Sequence, residues 1–367
     1  MAKQIRSGFT LIETAAVIAV GTVAFTQLAP MANKARLSAR GAGSASNLMQ
    51  IGQAAGMYGV DNADRIPSYS WNGGAGSQTG RYTLPDGLMY TARSDIDGAG
   101  IQMTEILQRR TGRIDGDFKI DVNTNRLWHR RWSHLVLLDY MNSPFPDALF
   151  IDPADANQLA WSANPLDYAL GSTVPYANDV AAGFDPDNGW SAESVRQRWA
   201  FASSYQTVPA AWQSDGFAEP SYTPVSETPH LFQVNGFGQS GVELSDGRRF
   251  SEVRFPTAKV YMFEEFDREQ AGDPYFGYDH ARPEKLMFDG SVNTFASGDA
   301  NISVNNREGK TEWRQTYVPL DTFPVPLGGL GDDTLLSQRF RWTFAGLQGM
   351  DYPTHIMPSN QPSGRRR

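Results

Sequence analysis

Residues 8–29 decide the fold, and they read GFTLIETAAVIAVGTVAFTQLA. The last 21 of these residues contain one ionisable side chain, Glu13. As a helix rising about 1.5 Å per residue, this stretch is long enough to cross a hydrocarbon core of roughly 30 Å. Residues 1–8 ahead of it carry Lys3 and Arg6. Positive charge on that side predicts a cytoplasmic N-terminus and an exported body.

Three simpler interpretations of this stretch are an ordinary signal peptide, an uncleaved signal anchor and a buried helix of a soluble protein. A signal peptide has an apolar region of about 7–15 residues followed by a small-residue cleavage site, and residues 8–29 are longer and lack a clear site of that kind. A carboxylate at the centre of a bilayer costs about 2.5–3.5 kcal/mol, so Glu13 requires a partner charge. A plain signal anchor supplies no such partner, but it stays the main alternative.

The residues Gly8-Phe9-Thr10-Leu11-Ile12-Glu13 resemble the prepilin cleavage and methylation motif of type IV pilins and type II secretion pseudopilins. The resemblance implies that a prepilin peptidase cuts between Gly8 and Phe9 and that the new amine of Phe9 is methylated. Glu13 then becomes the fifth residue of the mature chain. Pro30 becomes residue 22, where many of these proteins also have proline, and we expect it to kink the helix.

A physical argument agrees with the role that the resemblance gives to Glu13. In a helical assembly, the carboxylate of one subunit neutralises the Phe9 ammonium of a neighbour, and low dielectric strengthens that attraction and fixes the axial register. The implied partners are the prepilin peptidase and methyltransferase, other pilin or pseudopilin subunits, the secretion or pilus assembly machinery and the inner membrane. The implied location is the bacterial inner membrane, with the head in the periplasm or in a filament.

The helical pattern continues beyond the apolar stretch. Residues 41–46 are all small, and their two glycines predict a flexible joint. Four apolar or aromatic side chains then recur at spacings of three and four, which predicts one face packed on a sheet: Leu48, Ile51, Ala55 and Tyr58.

Later segments resemble a large pseudopilin family that is abundant in planctomycetes. Residues 47–67 resemble the second half of its long helix, and residues 132–140 with 150–153 resemble its W…L…Y and F-x-C-P segments. Asp152 stands where cysteine is usual, so the disulfide sometimes expected there is impossible in this chain. Residues 255–265 resemble a strand of the family that ends in an acidic residue.

His280 precedes Asp289-Gly290 with eight residues between them, which resembles the family's H-x9-DG signature with one residue missing. The flanking apolar runs predict that Asp289-Gly290 is a hairpin turn, in which glycine supplies a positive φ. We assign His280 a structural role in the loop before the hairpin, with contact to a partner subunit as the alternative.

The composition describes a folded, loop-rich body. The chain of 367 residues has 40% apolar content, 35 Gly and 22 Pro, which favours short strands and turns over a helical bundle. We expect an α+β fold, with the long N-terminal helix packed on an antiparallel, pilin-like head. The expected divisions are a cleaved leader at 1–8, a membrane helix at 9–30, its second half at 31–62, a head at 63–355 and a disordered tail at 356–367.

Charge and motifs exclude several functions. A net charge of −8 and a pI near 5.2 argue against nucleic acid as a partner, because phosphate binding requires a clustered basic surface. Cysteine is absent, and so are the G-x-S-x-G, H-E-x-x-H and P-loop motifs. The sequence therefore indicates a structural protein and not an enzyme.

Two acidic loops contain the oxygen ligands that calcium prefers. They hold Asp185, Asp187 and Asn188, and Asp152, Asp155 and Asn157. Solvated Asp-Pro turns explain both loops, so no metal or other cofactor is predicted, although calcium stays open. Most of the nine Trp residues are interpreted as core. If they stack on sugars instead, the protein is a membrane-anchored display or carbohydrate-binding protein, which is the alternative function.

Overall fold

The computed structural model describes residues 11–71, 80–93, 95–122, 131–141, 144–169, 197–212, 222–225, 228–234, 247–270, 274–301, 339–342 and 346–353. Over residues 12–29 it describes the backbone but few of the side chains. Sequence predictions that lie outside the described residues include the leader, the Gly8–Phe9 cleavage site and the tail.

The chain is an α+β protein, as the sequence predicts. Its helices are α1 (Leu11–Asp61), α2 (Asp95–Thr111), α3 (Ala156–Ala163) and α4 (Pro165–Ala169). Its strands are β1 (Gly80–Thr83), β2 (Met89–Ala92), β3 (Tyr205–Thr207), β4 (Tyr222–Val225), β5 (Thr228–Val234), β6 (Val260–Glu264), β7 (Lys285–Met287) and β8 (Val292–Asn293). The central sheet is antiparallel with the order β3-β6-β7-β8, and β1-β2 and β4-β5 form separate pairs.

The side chains described in the first half of α1 are exposed. The helix is 51 residues long and runs through Pro30. Every side chain described between positions 11 and 36 is exposed, including Leu11 at 90%, Ile18 at 63% and Met31 at 68%. Within the described side chains, no helix is both long enough and apolar enough to cross a membrane.

The second half of α1 lies on the head. Leu48, Ile51 and Ala55 are buried in the main core, and Tyr58 packs against it. The predicted stripe is therefore confirmed. The helix comes close to the sheet at Gly52, where an added β carbon would lie 3.0 Å from Cδ1 of Leu286 in β7.

The expectation of a flexible joint at residues 41–46 is wrong. The helix is continuous there, and the glycines allow close packing. A β carbon on Gly43 would lie 3.0 Å from Cγ of Pro153, and one on Gly41 would lie 3.2 Å from Cγ of Glu269. The two glycines lack the atom that would hold the helix away from the head.

Helix α2 is not predicted by the sequence analysis. Its ends carry recognisable signals: acidic residues in the first turn, Arg109 and Arg110 in the last turn, and Gly112 beyond it with φ +69°. Its buried face includes Met103 and Leu107, which belong to the main core. Gly98 and Gly100 weaken the helical pattern in the first half, which explains why periodicity alone did not reveal the helix.

The glycines of α1 give a prediction for stability. Gly56 is exposed and an added β carbon would meet no atom within 4 Å, whereas one on Gly59 would lie 3.0 Å from two ring carbons of Phe250. We expect Gly56→Ala to raise the free energy of unfolding by about 0.5–1 kcal/mol, because alanine favours helix and restricts the unfolded chain. Gly59→Ala is the matched control, in which the contact with the ring offsets this gain. Urea unfolding checks both, and equal gains would contradict the packing described here.

His134 gives a prediction for pH dependence. It lies in a 3-10 helix at Ser133–Tyr140, is 3% exposed, and has its ring centroid 4.5 Å from that of Phe150. Burial lowers its pKa from 6.5 to about 3. Between these two values the folded state binds fewer protons than the unfolded state, so stability is lost as the pH falls from 6.5 towards 3.

We therefore expect His134→Gln to flatten the fall in melting temperature between pH 7 and pH 4. His280→Gln replaces an exposed histidine and serves as the control, which should keep the slope of the unaltered protein. Equal slopes for all three proteins would show that His134 does not contribute to the acid sensitivity.

Candidate functional site

The residues singled out for assembly lie on or before the first half of α1. Gly8 and Phe9 lie outside the described residues, and so does the side chain of Glu13, whose backbone is helical. Pro30 is exposed within the helix. Three basic residues, Lys34, Arg36 and Arg40, follow on the same segment before the helix reaches the head.

The two halves of the His280/Asp289-Gly290 motif lie at opposite ends of β7. His280 is exposed in the loop before the strand, with its ring centroid 5.4 Å from that of Tyr278. Asp289 and Gly290 form the turn into β8, where Gly290 has φ +85°. The Asp289 carboxylate accepts hydrogen bonds from the backbone N–H of Ser291 at 2.9 Å and from its hydroxyl at 2.6 Å. These contacts account for Asp289 as a turn residue.

A groove of about 640 Å³ separates this turn from α1. The helix lines it with Gly52, Gly56 and Gly59, and the opposite wall includes Phe288 and Asp289. The Asp-Gly turn therefore faces the glycine side of the helix across open space.

Four carboxyl groups meet where α1 joins the head. They belong to Asp152, Glu264, Glu269 and Glu284, and we call them the acidic cluster. One carboxylate oxygen from each of Asp152, Glu264 and Glu269 lies within 4.8 Å of the other two. Glu284 lies beside them, because its Oε1 and the Cγ of Glu269 would both be 3.2 Å from a β carbon on Gly41.

Hydroxyl groups connect the acidic cluster to α1 and to the sheet. Ser44 of α1 donates a hydrogen bond from Oγ to Oε1 of Glu264. The Tyr205 hydroxyl of β3 lies 3.0 Å from the same Ser44 Oγ. The close approach at Gly41 and Gly43 brings Ser44 within reach of these groups.

Burial and mutual repulsion raise the pKa values in the acidic cluster. Burial is the main cause for three members, and the charge of Asp152 adds to it. The pKa of Glu269 rises from 4.5 to about 7, that of Glu284 rises to about 8, and that of Glu264 lies well above its ordinary value. At neutral pH such a group of carboxylates holds protons or a cation.

The acidic loop that contains Asp155 does not form the calcium site that was considered from the sequence. The Asp155 carboxylate caps α3 by accepting from the Gln158 N–H at 3.0 Å, and it also accepts from Arg268 at 2.8 Å and from the Ser204 hydroxyl at 2.7 Å. Its oxygens are therefore engaged by protein donors. The Asn157 side chain and the second loop, with Asp185, Asp187 and Asn188, lie outside the described residues.

Tryptophan side chains described in the head are mostly core. Trp132, Trp161, Trp199 and Trp212 are each at most 4% exposed, so they offer no surface to a sugar. Trp71 is partly buried and stacks on the ring of Tyr82 with centroids 4.2 Å apart.

The acidic cluster was not predicted as a site. Of its four members, only Asp152 was considered from the sequence as a calcium ligand, and residues 255–265 were compared with a strand that ends in an acidic residue. An acidic residue at the end of an otherwise apolar strand was the available signal, since all five residues of β6 are buried. Comparison of the chain with models of known protein families, with curated proteins and with solved structures found no match.

Proposed function

We propose that the protein is a pilin-like structural subunit, a pseudopilin or a type IV pilin-like protein. A prepilin peptidase removes residues 1–8, and the apolar segment 9–30 holds the subunit in the inner membrane with its head in the periplasm. Assembly into a pilus or a type II secretion pseudopilus then packs this segment against the same segment of neighbouring subunits. The protein acts by assembly and not by catalysis.

The observation that carries the proposal is the exposure of the described side chains in the first half of α1, together with the sequence in front of it. Leu11, Ile18 and Met31 are exposed in the single chain. Burying a large apolar side chain gains about 1.5–3 kcal/mol, so a helix with several of them favours a covered state. A bilayer supplies that cover before assembly, and neighbouring helices supply it afterwards.

The attachment of α1 to the head also supports a role as a filament subunit, because it links the position of the head to the position of the assembly segment. The second half of the helix packs through Leu48, Ile51 and Ala55 into the main core, and the same helix continues without a break into the exposed half. A continuous helix keeps each head at a fixed distance from its assembly segment. Register set at Glu13 then fixes the positions of the heads.

The competing proposal is a plain membrane-anchored display protein, with sugar binding as its activity. The Trp71–Tyr82 stack is the observation that favours it, because aromatic rings of this kind pack on sugar faces. Trp71 is only partly exposed and one face of its ring is already used by Tyr82. We therefore favour assembly.

Shear fractionation of host cells separates the two proposals. Filament subunits are released into the sheared fraction, whereas membrane-anchored display proteins stay with the cells. An integral inner-membrane protein serves as the control for lysis. Complete retention with the cells, under conditions that release pili, would favour the display protein.

A further inference from the structure

The oxygens of the acidic cluster have the spacing of ligands around one ion. Calcium binds oxygen at 2.3–2.6 Å, so two ligands on opposite sides of it are up to roughly 5 Å apart. The oxygens of Asp152, Glu264 and Glu269 all lie within 4.8 Å of one another, which permits one ion to contact all three. The three residues come from a loop, a strand and the segment after that strand, and the fold alone brings them together.

Buried oxygens in the acidic cluster lack hydrogen-bond donors. Oε1 of Glu269 and Oε2 of Glu284 are buried without one, and Oδ2 of Asp152 has only the Arg268 guanidinium beside it, at 3.6 Å. Glu284 is 4% exposed, and its carboxylate lies against the same turn of α1 as Glu269. An unsatisfied buried carboxylate oxygen is costly and calls for a ligand or a proton.

Two basic side chains of the described residues lie near the acidic cluster, and both also have partners outside it. Arg268 hydrogen-bonds Asp155 at 2.8 Å and reaches Asp152 only at 3.6 Å. Lys285 Nζ donates to the backbone carbonyls of Pro283 at 2.6 Å and Phe295 at 2.7 Å. Among the described residues the four carboxyl groups therefore outnumber these two cations, whose charges still act on Glu264, Glu269 and Glu284.

We propose that the acidic cluster binds one divalent cation of the calcium class, with Asp152, Glu264 and Glu269 as ligands and Glu284 completing the site. The donors are all hard oxygens, which excludes soft-metal ligation. Mg²⁺ usually retains several waters, whereas Ca²⁺ accepts a site made largely of protein carboxylates. Because Asp152 and Glu264 are 0% exposed, we expect the site to prefer Ca²⁺ to the more strongly hydrated Mg²⁺.

A cation at this position fastens α1 to the head. Ser44 and Gly41 contact Glu264, Glu269 and Glu284 from the helix side, where the exposed half of α1 begins. Binding to the folded state alone stabilises that state by mass action. This inference goes beyond the proposed assembly function and does not depend on it.

The test uses the full chain in mild detergent, treated with a chelator and transferred to chelator-free buffer at pH 7.5. Calorimetric titration with CaCl₂ should show one site per chain, and Ca²⁺ should raise the melting temperature by several degrees while equimolar Mg²⁺ has a smaller effect. Glu269→Gln should weaken Ca²⁺ binding at least tenfold. Asp115→Asn removes an exposed carboxylate from outside the acidic cluster and should bind Ca²⁺ as the unaltered protein does.

Terbium luminescence provides a measurement that needs no variant. Tb³⁺ replaces Ca²⁺ in oxygen sites, and the Tyr205 ring, whose hydroxyl contacts Ser44, is placed to sensitise its emission. Calcium-displaceable emission supports the site. Its absence, or Ca²⁺ binding by Glu269→Gln equal to that of the unaltered protein, overturns the proposal. A third result also overturns the proposal. If Ca²⁺ does not change the melting temperature but Glu269→Gln and Glu284→Gln each raise it, the acidic cluster holds protons only.

Discussion

Glu13→Ala is expected to leave leader cleavage intact and to remove the protein from sheared filaments. The substitution lies five residues beyond the proposed cleavage bond, so the peptidase site at Gly8 is unchanged. What is lost is the carboxylate that we propose neutralises the Phe9 ammonium of a neighbouring subunit. In an apolar helix bundle this attraction exceeds the roughly 1.4 kcal/mol that corresponds to a tenfold change in an equilibrium constant. We therefore expect at least about tenfold less protein in the sheared fraction.

Thr14→Ala is the matched control for this experiment, because it alters the next residue of the same helix without removing a charge. It should be cleaved and incorporated normally. Immunoblots of sheared and cell fractions measure incorporation, and mass spectrometry of the N-terminal peptide measures cleavage. Normal filaments from Glu13→Ala would contradict the pairing of Glu13 with the Phe9 amine.

Asp351→Ala is expected to cause the largest loss of stability. Asp351 pairs with Lys259 at 3.3 Å, and their side chains are 1% and 0% exposed. The Asp351 carboxylate also accepts a hydrogen bond from the Val260 N–H at 2.9 Å, which connects the C-terminal part of the head to the start of β6. Removing one partner of a buried ion pair leaves the other charge uncompensated and costs about 3–5 kcal/mol.

A double variant separates the cost of the uncompensated charge from the loss of the pair itself. Lys259→Met/Asp351→Leu removes both charges of this pair, so the double variant is expected to unfold at a higher denaturant concentration than Asp351→Ala. Urea unfolding followed by circular dichroism measures both midpoints. If the double variant is as unstable as the single one, the buried charge on Lys259 is not the cause of the loss.

The parts of the fold that the sequence predicted depend on local patterns. The spacing of Leu48, Ile51 and Ala55 indicated the buried face of α1, because residues three and four apart share one side of a helix. Asp289-Gly290 between two apolar runs indicated a turn, because glycine readily adopts the positive φ found at Gly290. Such signals are contained in a few consecutive residues.

Contacts between residues far apart in the chain, and close packing between elements, could not be predicted from the sequence in the same way. The acidic cluster joins Asp152 to residues more than a hundred positions later, and no local pattern connects them. The low helix propensity of the glycines in residues 41–46 suggested flexibility. Whether these small residues instead permit close packing depends on the residues that face them in the folded protein. Because Gly43 and Gly41 have no β carbon, helix α1 can pack closely against Pro153 and Glu269.

The central claim is that the chain is processed as a prepilin, and the most direct measurement is intact-mass and N-terminal peptide analysis of the protein isolated from its host membranes. The account predicts a chain that begins at a methylated Phe9. A chain that retains Met1 or Ala2 would make the protein a plain signal anchor. A chain that begins beyond Ala29 would make the segment an ordinary signal peptide, and either result would contradict the account.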